Sequence, residues 1–437
     1  MFSFDGSCWL CPGEQEEAIT LMLEGSLLKW DNKRNLPLKS GGKTDIYVNL
    51  RMMRGKPSAM KELARLYENP LRRLRVKRFV EVPEAVSPLA DAISVATNIP
   101  MVTIREEAKE GRVVSGQLVG DLNPGDLVAI IDDVITDGAS KIPALTTLRS
   151  APANVAGMVV MVDRQQGWKK KLAAAGFGNV GVWPAMYLHD VRKFLVKNSL
   201  MQRCDPAREE RNPIIVALDG KNWEEILPLI DQLRTTGCVL KVNDLLVDQG
   251  IAHLLPDLLV YGRVMADLKG HDIPNTVGNI CRRLRACPPW AVTVHASGGG
   301  EMIKAAKKEL EGTATKVLAV TVLTSIDEKT CEEVYHRKPI EEVQALATIA
   351  KEAGADGFVC SSLEVEAMRG WHPDKILVVP GVRSPGAEKG DQERVDTPKN
   401  AYVQGANHLV MGRQILSAPD PVAEVQRVIK DELGIEV

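Results

Sequence analysis

Apolar and polar positions alternate along this chain in two rhythms. Short apolar runs at residues 45–50, 78–82, 101–105, 127–133 and 157–163 read as strands, and between them apolar residues recur three and four apart, as at 58–67 and 88–97. Strands alternating with amphipathic helices predict a mostly parallel α/β sheet with helices on its faces, whose ligands bind beyond the carboxyl ends of the strands. A polar, proline-bounded stretch at 201–213, MQRCDPAREERNP, reads as a linker. After it come eight strand-like runs, at 214–219, 239–243, 264–269, 291–296, 317–323, 357–360, 376–381 and 408–412. Helical patterns at 223–235, 301–311, 340–353 and 421–433 accompany them. Eight β/α units predict a TIM barrel with its active site at the carboxyl ends of the strands. The expected division is a domain over 1–205 and a barrel over 206–437.

Composition narrows the function classes. A length of 437 residues fits two or three domains, and a net charge of −2 gives no bulk attraction to nucleic acid or to an acidic membrane. No apolar run approaches the roughly 20 residues of a membrane span, and the N-terminus has no basic region followed by an apolar one. The expectation is a soluble cytoplasmic protein with no nucleic-acid or membrane partner. Of eight cysteines, Cys8 and Cys11 form a CxxC, but no second CxxC exists and no histidine precedes His189, so ordinary reduced thiols are expected and no metal site.

Polar residues recur where a barrel needs its chemistry. Asp219, Lys241, Asp267 with Lys269, His295, Thr324 with Ser325, Pro380 and Arg413 all fall at or just past a predicted strand end. Asp267, Lys269 and Asp272 form a DxKxxD pattern; residues two apart in a strand share a face and Asp272 lies just past the strand end, so two carboxylates and an ammonium are forced together. Surface ion pairs stabilise a fold by only about 0–1 kcal/mol, which makes stability a poor reason for the cluster. Barrels often hold phosphates in the loops after strands seven and eight, here 382–394 and Gly412–Arg413, and the first of these is glycine-rich enough to act as a lid.

In the first half, VAIIDDVITDGASK ends a strand on Asp132 and Asp133 and continues into a loop of Thr136, Asp137, Gly138, Ala139 and Ser140. Backbone N–H groups and hydroxyls of such a loop can hold a phosphate, while the acids grip ribose hydroxyls or a magnesium ion.

The second half resembles the orotidine 5′-monophosphate decarboxylases, through VALD, DLKGHDIPNT, VTVHASGGGEMI, AVTVLTSID, VVPGVR, GDQERVDTP and LVMGRQI. The resemblance implies a cofactor-free decarboxylation yielding UMP, with Lys269, Asp267, Asp272 and Lys241 as catalytic residues. Asp219 and Lys241 would hold the ribose hydroxyls, Ser325 the pyrimidine, and Gln392, Gly412 and Arg413 the 5′-phosphate, with Pro380 beside the substrate. Asp272 and Thr276 would enter the neighbouring subunit's site in a homodimer. Asn243 and Gln414 depart from the family's usual glycine and proline.

The first half resembles orotate phosphoribosyltransferase, a type I phosphoribosyltransferase, so that the whole chain resembles bifunctional UMP synthase. Arg105, Lys109, Asp132, Asp133 and the loop from Thr136 to Ser140 would then bind phosphoribosyl pyrophosphate, with Mg2+ if this half is active. Glu81 and Glu84 stand at a glycine and a tyrosine of that family's pyrophosphate loop, and Glu106 at a lysine of its catalytic loop. A carboxylate facing a pyrophosphate charge opposes binding by up to about 4 kcal/mol at ~4 Å and an effective dielectric of about 20. Weak or absent transferase activity is therefore expected, against the alternatives of full bifunctionality or of a regulatory or oligomerising module. A magnesium-dependent sugar-phosphate barrel that also uses DxK is the competing reading of the second half.

Overall fold

The computed structural model describes residues 8–38, 43–82, 86–109, 116–386 and 396–436, and of 106–109 and 116–117 the backbone alone. Glu84, Gln392 and the side chains of Glu106 and Lys109 lie outside the described residues. The chain divides into two compact units, Met1–Met201 and Gln202–Val437. Among the described residues no helix is long and apolar enough to cross a membrane.

The first unit is built on a six-stranded sheet in the order Val182–Tyr187, Asn154–Asp163, Leu127–Ile135, Arg78–Glu81, Met101–Lys109, Gly116–Val119. All neighbours are parallel except the last pair. The run Val128 to Asp132 is wholly buried, as a strand covered on both faces must be. From Arg78–Glu81 the chain moves outward to two further strands and then returns to add Leu127–Ile135 on the other side. The strand order therefore reverses between these two strands, and Glu81, Asp132 and Asp133 border that switch point.

Three expectations need correction here. The strand expected at 45–50 is Ile46–Val48, and it pairs antiparallel with Leu28–Trp30 outside the main sheet; the chain then turns into a 3-10 helix, Leu50–Gly55. Alternation identifies a strand but not the sheet it joins. Asp45 is withdrawn from that strand into a buried pair with Arg192, whose Nη2 lies 3.0 Å from Oδ1. Gly116–Val119 and Val182–Tyr187 were not anticipated; Pro184 masks the latter, and an edge strand is where a sheet tolerates proline. The expected linker contains a helix, Pro206–Arg211, started by Asp205, whose carboxylate accepts Ala207 N–H at 3.0 Å. That helix is fixed to the barrel by Arg208 to Thr235 O (2.7 Å), and Asn212 just beyond it donates to Thr236 O (2.9 Å).

The second unit is a closed barrel of eight parallel strands: Ile214–Ala217, Val239–Val242, Val264–Gly270, Ala291–His295, Lys316–Val320, Gly357–Val359, Ile376–Pro380 and His408–Met411. Pairing of Ile215 with Val410 closes the ring. Ile215, Val239, Met265, Ala291, Leu318 and Val378 fill its interior, so the barrel is a packed core and chemistry is confined to its mouth.

Candidate active site

The third barrel strand does not run straight to its end. Its register against the fourth jumps from Ala266 opposite Val292 to Gly270 opposite Val294, so Asp267, Leu268 and Lys269 together face Thr293. Lys269 takes a left-handed backbone, φ 48°, which non-glycine residues rarely adopt. Sequence alternation therefore gave the right meeting of Asp267 and Lys269 for an incomplete reason: a bulge aims the two side chains, as bulges beside active sites do. Thr293, fully buried, stabilises the bulge by accepting Lys269 N–H at 2.9 Å and donating to Asp267 Oδ1 at 2.8 Å. Asn243 Nδ2 donates to Asp267 O at 2.6 Å, which gives the departure from glycine a structural purpose.

Four charges line up across the mouth with alternating sign. Lys241 Nζ lies 2.6 Å from Asp219 Oδ2 and 3.1 Å from Asp267 Oδ2, and Lys269 Nζ lies 2.7 Å from the same Asp267 oxygen. Lys241 and Asp267 are only 7% and 6% exposed, and buried charges persist only when paired and hydrogen-bonded. Burial alone would drive the Asp267 carboxyl up, but Lys241 and Lys269 outweigh it and hold it below the ordinary range. Burial would likewise pull Lys241 down, and Asp267 and Asp219 outweigh it and raise the ammonium. His295 is lowered by burial and by the neighbouring His271 and Lys269, with the two imidazoles 5.4 Å apart.

The array opens into a cavity of about 960 Å3, whose walls include Thr324, Pro380, Arg383, Gly412 and Arg413. Ser325 is exposed and does not line it. Asp272 is exposed, its Oδ1 accepting Ile273 N–H at 2.6 Å, and Thr276 lies in the helix Pro274–Leu284; neither lines the cavity of its own chain. Arg413 opens a short helix, Arg413–Leu416, directly after Gly412. Its neighbour Gln414 is bound twice to Ser384: Ser384 N–H donates to Oε1 at 3.0 Å, and Nε2 donates to Ser384 Oγ at 2.6 Å. Gln414 Nε2 also reaches Glu424 Oε1 at 2.7 Å, and Arg427 joins Glu424, Glu432 and Ser384. Thr293, Asn243 and this use of Gln414 were missed from the sequence; a lone threonine inside VTVH was the available signal for the first.

Asp132 and Asp137 in the first unit are each paired with a lysine of the same unit. Asp132 is buried and ion-paired with Lys141, and the Tyr67 hydroxyl donates to its carbonyl at 3.4 Å. Burial pulls Lys141 down to about 8, with Arg51 adding to it. Burial pushes the half-exposed neighbour Asp133 up to about 6, against the charge of Arg51. Asp137 accepts Ala139 N–H at 3.0 Å and pairs with Lys171. Gly138 takes φ 78° at the turn, Thr136 is half-buried and Ser140 is exposed. Arg105 lies half-buried on the adjoining strand, and Glu81 accepts from Thr103 Oγ1 at 3.1 Å. All eight cysteines are free thiols, and burial with the nearby Asp190 and Asp163 pushes Cys8 up to about 12.

A closed β/α barrel carrying a row of alternating charges at its strand ends, with the inner pair buried, is the class of enzyme scaffold in which reacting groups converge from several strands. The chain belongs to the orotidine 5′-phosphate decarboxylase / HUMPS family, whose model matches residues 212–428. It is 40% identical over 230 residues to the orotidine 5′-phosphate decarboxylase of Nitrosococcus oceani, covering 52% of this chain and 99% of that one. Against the enzyme of the same name from Haemophilus ducreyi it is 42% identical over 225 residues, covering 50% and 97%. The crystal structure of the orotidine 5′-phosphate decarboxylase from Lactobacillus acidophilus aligns at 36% identity and a TM-score of 0.45, over 51% of this chain and 100% of that one.

Proposed function

We propose that the barrel decarboxylates orotidine 5′-monophosphate to UMP without a cofactor. The observation that carries this reading is the sharing of one Asp267 oxygen by Lys241 and Lys269 in the cavity mouth. Breaking the bond between the ring carbon and its carboxylate releases CO2 and leaves the electron pair on an sp² carbon with little delocalisation. Lys269 supplies a positioned ammonium beside that charge and then the proton that quenches it, and water restores the proton to the lysine. Asp267 keeps Lys269 charged and aimed. Lys241, locked between Asp219 and Asp267, offers with Asp219 a rigid place for the ribose hydroxyls. Gly412 and Arg413, with Gln392, take the 5′-phosphate, since arginine and backbone amides give charge-assisted hydrogen bonds. Pro380 packs beside the base, while Asp272 and Thr276 complete the site of a partner subunit in a homodimer. A magnesium-dependent sugar-phosphate barrel that also uses DxK is the competing reading, and HDIPNT, LTS and GDQER favour the decarboxylase.

The first unit is read as an orotate phosphoribosyltransferase-like domain with weak or no transferase activity. Glu81, buried at the switch point, supports the loss of activity, whereas the acids Asp132 and Asp133 at a strand end support the alternative of a complete UMP synthase. Steady-state turnover of orotidine 5′-monophosphate, and separately of orotate with phosphoribosyl pyrophosphate, decides both questions, with Lys269→Ala as control. Consumption of the nucleotide that disappears in the variant is expected, with no consumption of orotate. Failure to consume the nucleotide rejects the first reading, and ordinary turnover of orotate rejects the second.

A further inference from the structure

A type I phosphoribosyltransferase fold implies a magnesium ion near Asp132 and Asp133, which lie inside the strand Leu127–Ile135, and the residues present do not fit one. A magnesium site needs carboxylate or phosphate oxygens open to a hydrated octahedron. Asp132 is 1% exposed and its carboxylate is ion-paired with Lys141, itself 5% exposed. Lys141 ends the short turn Ala139–Lys141, so the same loop that would cradle an anion delivers an ammonium to the strand end. The other loop acid, Asp137, is engaged by Ala139 N–H and by Lys171 of the helix Trp168–Ala174. Arg51, in the 3-10 helix Leu50–Gly55, adds a further positive charge that acts on both Asp133 and Lys141. Asp132 and Asp137 are thus each paired with a lysine before any ligand arrives, and a divalent ion at Asp132 would meet the repulsion of the Lys141 ammonium.

We infer that Lys141 is a resident cation standing at Asp132 in place of a divalent metal, so that the first unit takes no metal there, and that removing the lysine's charge creates a metal site. The inference uses the transferase-like reading solely for the expectation of a metal; the lysine pairs stand without it. Lys171 plays the matching part at Asp137, holding the acid against the loop amide.

The test is titration of the full-length protein with Mn2+, followed by the electron paramagnetic resonance of the free ion. Wild type is expected to show no site sensitive to Asp132. Lys141→Met is expected to gain a site at least about tenfold tighter than any wild-type binding, and Lys141→Met/Asp132→Asn to lose it again. A wild-type site abolished by Asp132→Asn overturns the inference, as does a folded Lys141→Met protein that gains nothing. If circular dichroism shows Lys141→Met unfolded, Lys141→Gln, which keeps a donor for Asp132 without the charge, carries the same comparison. The readout is metal binding and not turnover, so a transferase that proves active while lacking this site would reject the inactive-transferase reading and leave the inference standing.

Discussion

The Thr293 hydroxyl donates to Asp267 Oδ1 at 2.8 Å while accepting the backbone N–H of Lys269 at 2.9 Å. One buried side chain on the fourth strand therefore holds both the acid and the lysine of the third. Thr293→Val keeps the shape and removes the hydroxyl, leaving an acceptor and a donor unsatisfied. The expected cost is about 1–3 kcal/mol in chemical denaturation, with kcat falling more than KM rises. Recovery in Thr293→Ser would separate the hydroxyl's role from packing.

The charged row sets a pH window for stability. Asp267 is held below its ordinary value, so its contribution is present above the unfolded value near 3.9 and is lost as pH falls through the folded one. Lys241 is raised, so its contribution is present below about 10.4 and is lost as pH rises through the folded value. Lys241→Met removes one partner of a buried pair, with an expected cost of about 3–5 kcal/mol at neutral pH. Urea unfolding at several pH values should show the gap to wild type widest near pH 7 and narrowing as Asp267 takes up a proton. A pH-independent gap would refute the assignment.

At the opposite end of the barrel, burial and the nearby Arg263 pull His408 down to about 4. Between that value and the unfolded one near 6.5 the unfolded chain binds the extra proton, so the barrel loses stability as pH falls through this range. Its ring stands edge-on to Trp290 at 4.8 Å, which makes the Trp290 indole N–H resonance a local reporter. His408→Gln is expected to remove this acid-side slope.

Gln414 ties the loop that follows the seventh strand to the arginine that follows the eighth. Gln414→Ala removes both of its bonds to Ser384, whose hydroxyl keeps Arg427 and Glu432, and leaves Glu424 to Arg427. The expected result is a loss of about 1–2 kcal/mol in stability and a KM for orotidine 5′-monophosphate raised about tenfold, equivalent to about 1.4 kcal/mol of binding, with a smaller change in kcat. An unchanged KM would detach Gln414 from phosphate binding.

The barrel was legible because its strands are apolar runs with polar residues at or just past several of their ends, and both features are local. Asp219, Lys241, Asp267 and Lys269 could be placed in one mouth on that basis alone. What escaped depends on contacts across the sheet: Thr293 and Asn243 matter through partners 24 to 26 residues away, and neither residue type announces that use. Ser325 was placed just past a strand over 317–323, yet that strand stops at Val320 and Ser325 lies exposed in the segment beyond it, outside the cavity. In the first unit the acids Asp132 and Asp133 were visible, while the lysine that neutralises one of them lies in the following turn, where a charge run usually means solvent.

The left-handed backbone at Lys269 bears on any transplant of this charged row. Copying four side chains onto another barrel would fail on a regular third strand, because Asp267 and Lys269 converge through the extra residues opposite Thr293. The smallest portable unit is a pair of neighbouring strands with mismatched lengths, and the threonine is the hinge pin of the graft.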